Sequence, residues 1–312
     1  MKKISFVSPC YNEQDNVYPF YNLVKETMKG TGYAYEIVFV NDGSKDDTYG
    51  ELKEIYESDP MHIKVVHFLR NFGKEAAILA GLKEADGDFI CTIDSDMQQE
   101  PKYTIEMVKI LEENEIIDMV AAKPANEKDS KALSFFKKSF YKIINAVADV
   151  PFYQGVSDFR TFRKIVRDTI ISLPEHNRFS KGIFSWVCPK IECIEYEVKE
   201  RASGVTKWSF MKLFKYAMEG IMSFSHMPLL IPFMLGAVEL FSAMVILLAI
   251  LIGAIADASF AFGTLWIVFG LLMLTGFQSL STGIIGQYLA KVHTETTNRP
   301  IYVVKEVLKR EE

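Results

Sequence analysis

Four short runs of nearly unbroken apolar residues open the chain: KISFVS at 3–8, YEIVFV at 35–40, IKVVHF at 63–68 and DFICTI at 88–93. A strand that is apolar throughout must be covered on both faces. The intervening segments supply that cover. Residues 16–29, 47–57 and 74–84 carry apolar side chains at helical spacing, as with Val17, Phe20, Tyr21 and Val24. Strands and helices therefore alternate, which predicts an α/β fold around a mainly parallel sheet. Further along, the pattern predicts a helix over 103–113, a short strand over 117–121 and a polar loop over 123–130. An amphipathic helix over 134–147 follows, then a strand or turn over 159–162, a helix over 164–172 and a late strand over 190–198.

Ligands of such sheets bind beyond the carboxyl ends of the strands, and the polar motifs of this chain fall there. Pro9-Cys10-Tyr11-Asn12-Glu13 follows the first run, Asn41-Asp42-Gly43-Ser44 the second, and Asp94-Ser95-Asp96 the fourth. Asp94 and Asp96 flank one residue, so an extended backbone turns both the same way. Like charges this close need a positive partner, and a hard divalent cation with oxygen ligands suits them. The alternative is a pair of carboxylates facing solvent in a turn. Asp42 can accept hydrogen bonds from a base or a ribose, while Ser44 or Asp47 can cap the next helix. Glu13 reads equally as a functional carboxylate or as a first-turn helix charge. Arg178, Lys181, Arg201 and Lys207 are candidate phosphate partners. The stretch from Arg201 to Lys207 is Gly- and Ser-rich, which favours a binding loop over a helix. It also reads as a basic patch for anionic lipid headgroups.

Several classes are set aside. The net charge of -5 gives no sign of nucleic-acid binding. No HExxH, P-loop or dinucleotide fingerprint occurs. Cysteines 10, 91, 188 and 193 lack metal-ligand spacing and read as free thiols in a reducing compartment. The N-terminus is too short in apolar residues for a signal peptide.

The C-terminal third differs in kind. Seventeen residues without formal charge separate Glu239 from Asp257, and 33 separate Asp257 from Lys291. A membrane span needs about 20 residues, so the expectation is a transmembrane hairpin, about 229–254 and 263–287. Lysines and Arg299 flank it on one side, which predicts both termini on the cytoplasmic face. Residues 206–227 are expected as an amphipathic interfacial helix. An ionisable Glu239 within a span is a functional candidate, and Gly276, Gly283 and Gly286 permit close helix approach.

Taken in order, VSPCYNEQDN, VNDGSKDDT, NFGKEAAILAGL, DSDMQ, GVSDFRTF, RFSKG and RASGVTK resemble the motifs of family 2 glycosyltransferases. The likeness is to the polyprenyl-phosphate branch, similar to dolichol-phosphate mannose synthase and to bacterial undecaprenyl-phosphate glucosyltransferases. The resemblance implies a Rossmann-like domain of GT-A type over 1–205, the juxtamembrane helix over 206–227, the transmembrane hairpin over 228–290 and a cytoplasmic tail over 291–312. It implies transfer of one hexose, foremost glucose, from a UDP-sugar to polyprenyl phosphate with inversion. Mg²⁺ or Mn²⁺ would sit on Asp94 and Asp96. Pro9, Tyr11, Glu13, Asp42, Lys74, Ser95 and Gln98 would line the donor site, and Asp158 would lie near the sugar or acceptor phosphate. Arg178, Lys181, Arg201 and Lys207 would meet donor or acceptor phosphates. A homo-oligomer in a bacterial inner membrane is the implied setting. Where the family commonly has DLQDPP, this chain has Gln99 and Glu100 in place of Asp and Pro. Lys181 also stands where Arg is usual. A processive polysaccharide synthase and a non-catalytic sugar-nucleotide-binding protein are the alternatives.

Overall fold

A computed structural model describes residues 1–125, 155–197 apart from 177, and 263–310 apart from 298, with isolated positions within 141–153 and 232–245. All four apolar runs form strands: β1 (Lys3–Cys10), β2 (Ala34–Asn41), β3 (Ile63–Phe68) and β4 (Phe89–Thr92). Between them lie α1 (Gln14–Met28), α2 (Thr48–Ser58) and α3 (Lys74–Glu84). The chain continues through α4 (Lys102–Glu113), β5 (Met119–Pro124), β6 (Arg160–Arg163), α5 (Lys164–Ser172), α6 (Ser180–Val187) and β7 (Glu192–Tyr196). Helix α7 (Gly263–Thr296) and strand β8 (Val304–Leu308) end it.

The strands form one eight-stranded sheet in the order β7-β5-β6-β4-β1-β2-β3-β8. The central pairs β4-β1, β1-β2 and β2-β3 are parallel, as is β5-β7. Strand β6 runs antiparallel to both β4 and β5, and β8 antiparallel to β3. Alternate residues of a strand face opposite layers. Phe6, Ile37, Phe39 and Cys91 therefore pack under α1, α2 and α4, with Val17, Phe20, Leu52 and Val108. Val7, Val38 and Ile90 pack on the other side, with Ile78, Leu82, Val166, Ile170 and Phe184 of α3, α5 and α6. Helix α3 lies very close to the sheet at Gly81, where a Cβ would come within 2.4 Å of Val7 Cγ1.

The chain steps from β1 outward to β2 and β3, then returns through α3 to β4 on the opposite side of β1. That reversal opens a crevice at the carboxyl ends of β1 and β4. Antiparallel β6 brings its entry residue, Asp158, to the same end.

The expected transmembrane hairpin is corrected. Among the described residues no helix is long and apolar enough to cross a membrane. The charge-free run is not apolar throughout: α7 runs for 34 residues, takes in Gln278, Ser279, Ser281, Thr282 and Gln287 from its middle onward, and carries on past Lys291 and Glu295. The multi-pass inner-membrane placement, with its assignment of termini to the cytoplasmic face, is corrected with it. Most of the first expected span, the 206–227 helix and most of the 134–147 helix lie outside the described residues. Residues 291–312, expected as a tail, contribute strand β8. Tyr302 stacks on Phe68 at 4.9 Å, and Leu69 N–H donates to the Val303 carbonyl at 3.0 Å.

Candidate active site

The loops after β1 and β2 are tied together by local hydrogen bonds. Asn12 N–H donates to Ser44 Oγ at 3.0 Å, and Lys45 N–H to Asn12 Oδ1 at 2.9 Å. Glu13 N–H donates to Thr48 Oγ1 at 2.9 Å, and Asn16 Nδ2 donates to the Glu13 carboxylate at 2.6 Å. Asn12 adopts φ 56° at this junction, a left-handed conformation that Asn tolerates better than most residues. Gly43, at φ 61°, has a stricter reason. A Cβ there would lie 2.3 Å from the Arg70 carbonyl carbon and 2.5 Å from Asn71 N.

That close approach places the 70–73 loop against Asp42. The Asp42 carboxylate accepts the Phe72 N–H at 2.6 Å and the Gly73 N–H at 2.9 Å. Asp42 is only 3% exposed. Burial raises its carboxyl above the usual range, and the two backbone donors oppose that rise. Gly73 at φ 99° then turns the chain into α3, which starts with Lys74.

Lys74 is the positive partner of Asp94, the first of the paired aspartates, and of Asp158. Its Nζ lies 2.8 Å from Asp94 Oδ1 and donates to Asp158 Oδ2 at 3.1 Å. Burial works against the ammonium, but Asp94 and then Asp158 outweigh it and raise Lys74. Burial likewise works against the Asp158 carboxylate. Lys74, Lys181 and Arg160 outweigh it and hold Asp158 well below the usual carboxylate range. The Asp158 backbone is fixed too, since Thr92 Oγ1 donates to its carbonyl at 2.8 Å.

Asp96 sits beside the same cavity and accepts the Gln98 N–H at 3.2 Å. Met97, at φ 63°, makes the turn between them. Gln99 is 7% exposed, and its Oε1 accepts the Asp94 N–H at 3.2 Å. The departure at Gln99 is thus a strut under Asp94. Glu100 pairs with Lys102.

One cavity of about 300 Å³ collects Pro9, Cys10, Tyr11 and Glu13 with Asp42, Gly73 and Lys74, and with Asp94, Ser95 and Asp96. Nearly all the expected donor residues are therefore together. Gln98 stands one turn residue beyond that wall. The donor set of Asp94 and Asp96 is all oxygen, which fits a hard cation that takes further ligands from a substrate. Among the described residues no group of three or more His, Cys, Asp or Glu could hold a metal unaided. Cys10, Cys91, Cys188 and Cys193 are free, the first three buried and Cys193 exposed.

The second side of the site is assembled differently. Lys181 lines a smaller cavity with Arg160, Tyr153 and Ser185, and burial pulls its ammonium down. Arg160 is 3% exposed, lies 4.3 Å over the Phe184 ring and donates to the Ser157 carbonyl at 2.9 Å. Arg178 donates to the Ile170 and Leu173 carbonyls at 2.9 and 3.1 Å, satisfying the end of α5. Arg201 and Lys207 lie outside the described residues. Sequence reasoning missed Arg160 and Glu75. The GVSDFRTF motif contains Arg160, but nothing in its spacing marks it as buried beside Asp158.

Residues 5–170 match the family described as Glycosyl transferase family 2. The prophage bactoprenol glucosyl transferase homolog of Escherichia coli (strain K12) is 36% identical over 308 residues, 98% of this chain and 100% of that protein. The SfII prophage-derived bactoprenol glucosyl transferase of Shigella flexneri is 35% identical over 320 residues, 97% of each chain. This chain belongs to glycosyl transferase family 2. The fold is also that of glucosyl-3-phosphoglycerate synthase from Mycobacterium tuberculosis, solved with Mn²⁺, UDP and phosphoglyceric acid. That match has 19% identity and a TM-score of 0.52, and covers 70% of this chain and 76% of that one.

Proposed function

We propose that this chain transfers one glucose from UDP-glucose to undecaprenyl phosphate, with inversion and release of UDP. The end-to-end likeness to the bactoprenol glucosyl transferase homolog carries this reading. An oxygen of the acceptor phosphate bonds to the anomeric carbon as the bond to the UDP oxygen breaks, and UDP departs with the electron pair. The attacking oxygen is already anionic, so no strong base is needed. Asp158 orients rather than deprotonates. Asp42, Glu13, Pro9 and Tyr11 hold the nucleotide, and Ser95 and Gln98 line the sugar-diphosphate. Asp94 and Asp96 would hold a divalent cation, which would supply neutralisation of charge on the leaving diphosphate. Lys74 keeps Asp94 and Asp158 in register, and Lys181 faces the acceptor phosphate. Arg201 and Lys207 belong to the proposed phosphate contacts, whereas Arg178 closes the end of α5. Self-association belongs to the same proposal, and light scattering of the purified protein reads it.

The test is turnover by the full chain in detergent with UDP-glucose, undecaprenyl phosphate and Mg²⁺ or Mn²⁺. A lipid-linked monosaccharide is expected, lost on chelation. Asp96→Ala lowers kcat/KM by roughly a hundredfold to a thousandfold. Full activity of Asp96→Ala sinks the metal assignment. A polymeric product, or donor binding without turnover, sinks the transfer reading. A panel of donors in the same assay identifies the sugar.

A further inference from the structure

Glu75 follows Lys74 in the first turn of α3, and its carboxylate meets a different partner. Ser180, the first residue of α6, donates to Glu75 Oε2 through its backbone N–H at 3.1 Å and also through its hydroxyl. Helix α6 is eight residues long, and its first backbone N–H groups have no partner within the helix. Its own preceding residue, Phe179, provides no side-chain cap. A carboxylate from another helix serves that end instead, and it suits the positive end of the helix dipole. Glu75 is half-buried. Burial raises its carboxyl, and the Ser180 hydrogen bonds oppose the rise.

The consequence reaches the reaction centre. Lys181 is the next residue after Ser180, and its charge helps to hold Asp158 ionised. Lys74 is the residue before Glu75, and it grips Asp94 and Asp158. Two adjacent residues of α3 therefore hold the two sides of the site, Lys74 the aspartates and Glu75 the helix that carries Lys181.

We propose that Glu75 is a positioning residue that sets the acceptor side of the site by capping α6 from α3. Glu75 itself touches no substrate. The assignment of Lys181 to the acceptor rests on the proposed lipid-phosphate transfer, so the test has one arm that needs no substrate.

In that arm, hydrogen–deuterium exchange compares the native protein with Glu75→Gln. Amides near the start of α6 are expected to exchange on the order of tenfold faster, the equivalent of one charged hydrogen bond, while α3 stays unchanged. Unchanged exchange at α6, or equal loosening of α3, overturns the proposal. The second arm is steady-state kinetics with the wild type as control for the reaction itself. Glu75→Gln should raise the acceptor KM about tenfold with donor KM held within about twofold. Ser180→Ala should act in the same direction but less, because its backbone N–H remains. The double variant should be no worse than Glu75→Gln alone. A proportional rise of both KM values, or additive single effects, overturns the coupling to Lys181. Absence of product from the wild type condemns the transfer reading and leaves the exchange arm to decide the role of Glu75.

Discussion

The two sides of the site hold their functional groups by different means. On the donor side, Asp42 is fixed by two backbone N–H groups, and the Asn12, Ser44 and Lys45 bonds lock the adjoining loops. On the acceptor side, Lys181 adds its charge to that of Lys74 on Asp158, and Arg178 is bound to helix carbonyls. Backbone hydrogen bonds fix direction as well as distance, so the donor side presents a prebuilt shape. An electrostatic arrangement is softer and depends on protonation. A substitution on the donor side should therefore act through geometry, and one on the acceptor side through pH and affinity.

Lys74 belongs to both sides, so its removal bears most on the difference between them. Lys74→Ala leaves Asp94 and Asp158 without their shared cation, and kcat/KM should fall on the order of a hundredfold. The pH dependence gives a sharper reading. Asp158 has a depressed folded value, so its contribution is present above its unfolded value and is lost as pH falls through the folded one. Removing Lys74 raises the folded value. The acid limb of the pH–rate profile, and acid unfolding followed by circular dichroism, should both begin at higher pH. An unshifted acid limb would show that charge does not govern this side.

Gly43→Ala tests the donor side by shape alone. The variant puts a methyl into a left-handed residue and against the Arg70–Asn71 backbone. A cost of about 3 kcal/mol is expected, read as a lower Tm, together with a raised donor KM. The acid limb should not move. A donor KM that stays at the native value, despite the lost stability, would break the claim that this loop contact shapes the nucleotide pocket.

Much of this division was legible in the sequence, for identifiable reasons. The strands β1 to β4 are buried on both faces, so their apolar runs could hardly be read otherwise, and the motifs at their ends fell in one cavity. The acceptor side was less legible. Helix α6 is only two turns long, too short to establish a period, and its cap comes from Glu75, more than a hundred residues earlier in the chain. No local pattern announces such a bond. Strand β8 carried little signal, since Val303 and Val304, Lys305 and Glu306, and Val307 and Leu308 come in like pairs rather than alternating. The charge-free run before it dominates the pattern of the C-terminal third. That run misled because Gln, Ser and Thr carry no charge yet remain polar.

Arg178 offers the smallest effect and the finest discrimination. The sequence marks it as a phosphate partner, whereas its guanidinium satisfies the carbonyls of Ile170 and Leu173. Arg178→Ala strands those two acceptors, which should cost about 1–3 kcal/mol and lower the Tm. Lys has one nitrogen in place of the planar fork, so Arg178→Lys should recover only part of the loss. If capping is its whole role, donor and acceptor KM stay within about threefold of native in both variants, since less than a kilocalorie of binding is then involved. A KM for the acceptor that rises tenfold or more, with the Tm restored by Lys, would move Arg178 to the phosphate after all. Arg178 would then join Lys181, Arg201 and Lys207 among the proposed phosphate contacts, held by fixed carbonyls where Lys181 is held by charge.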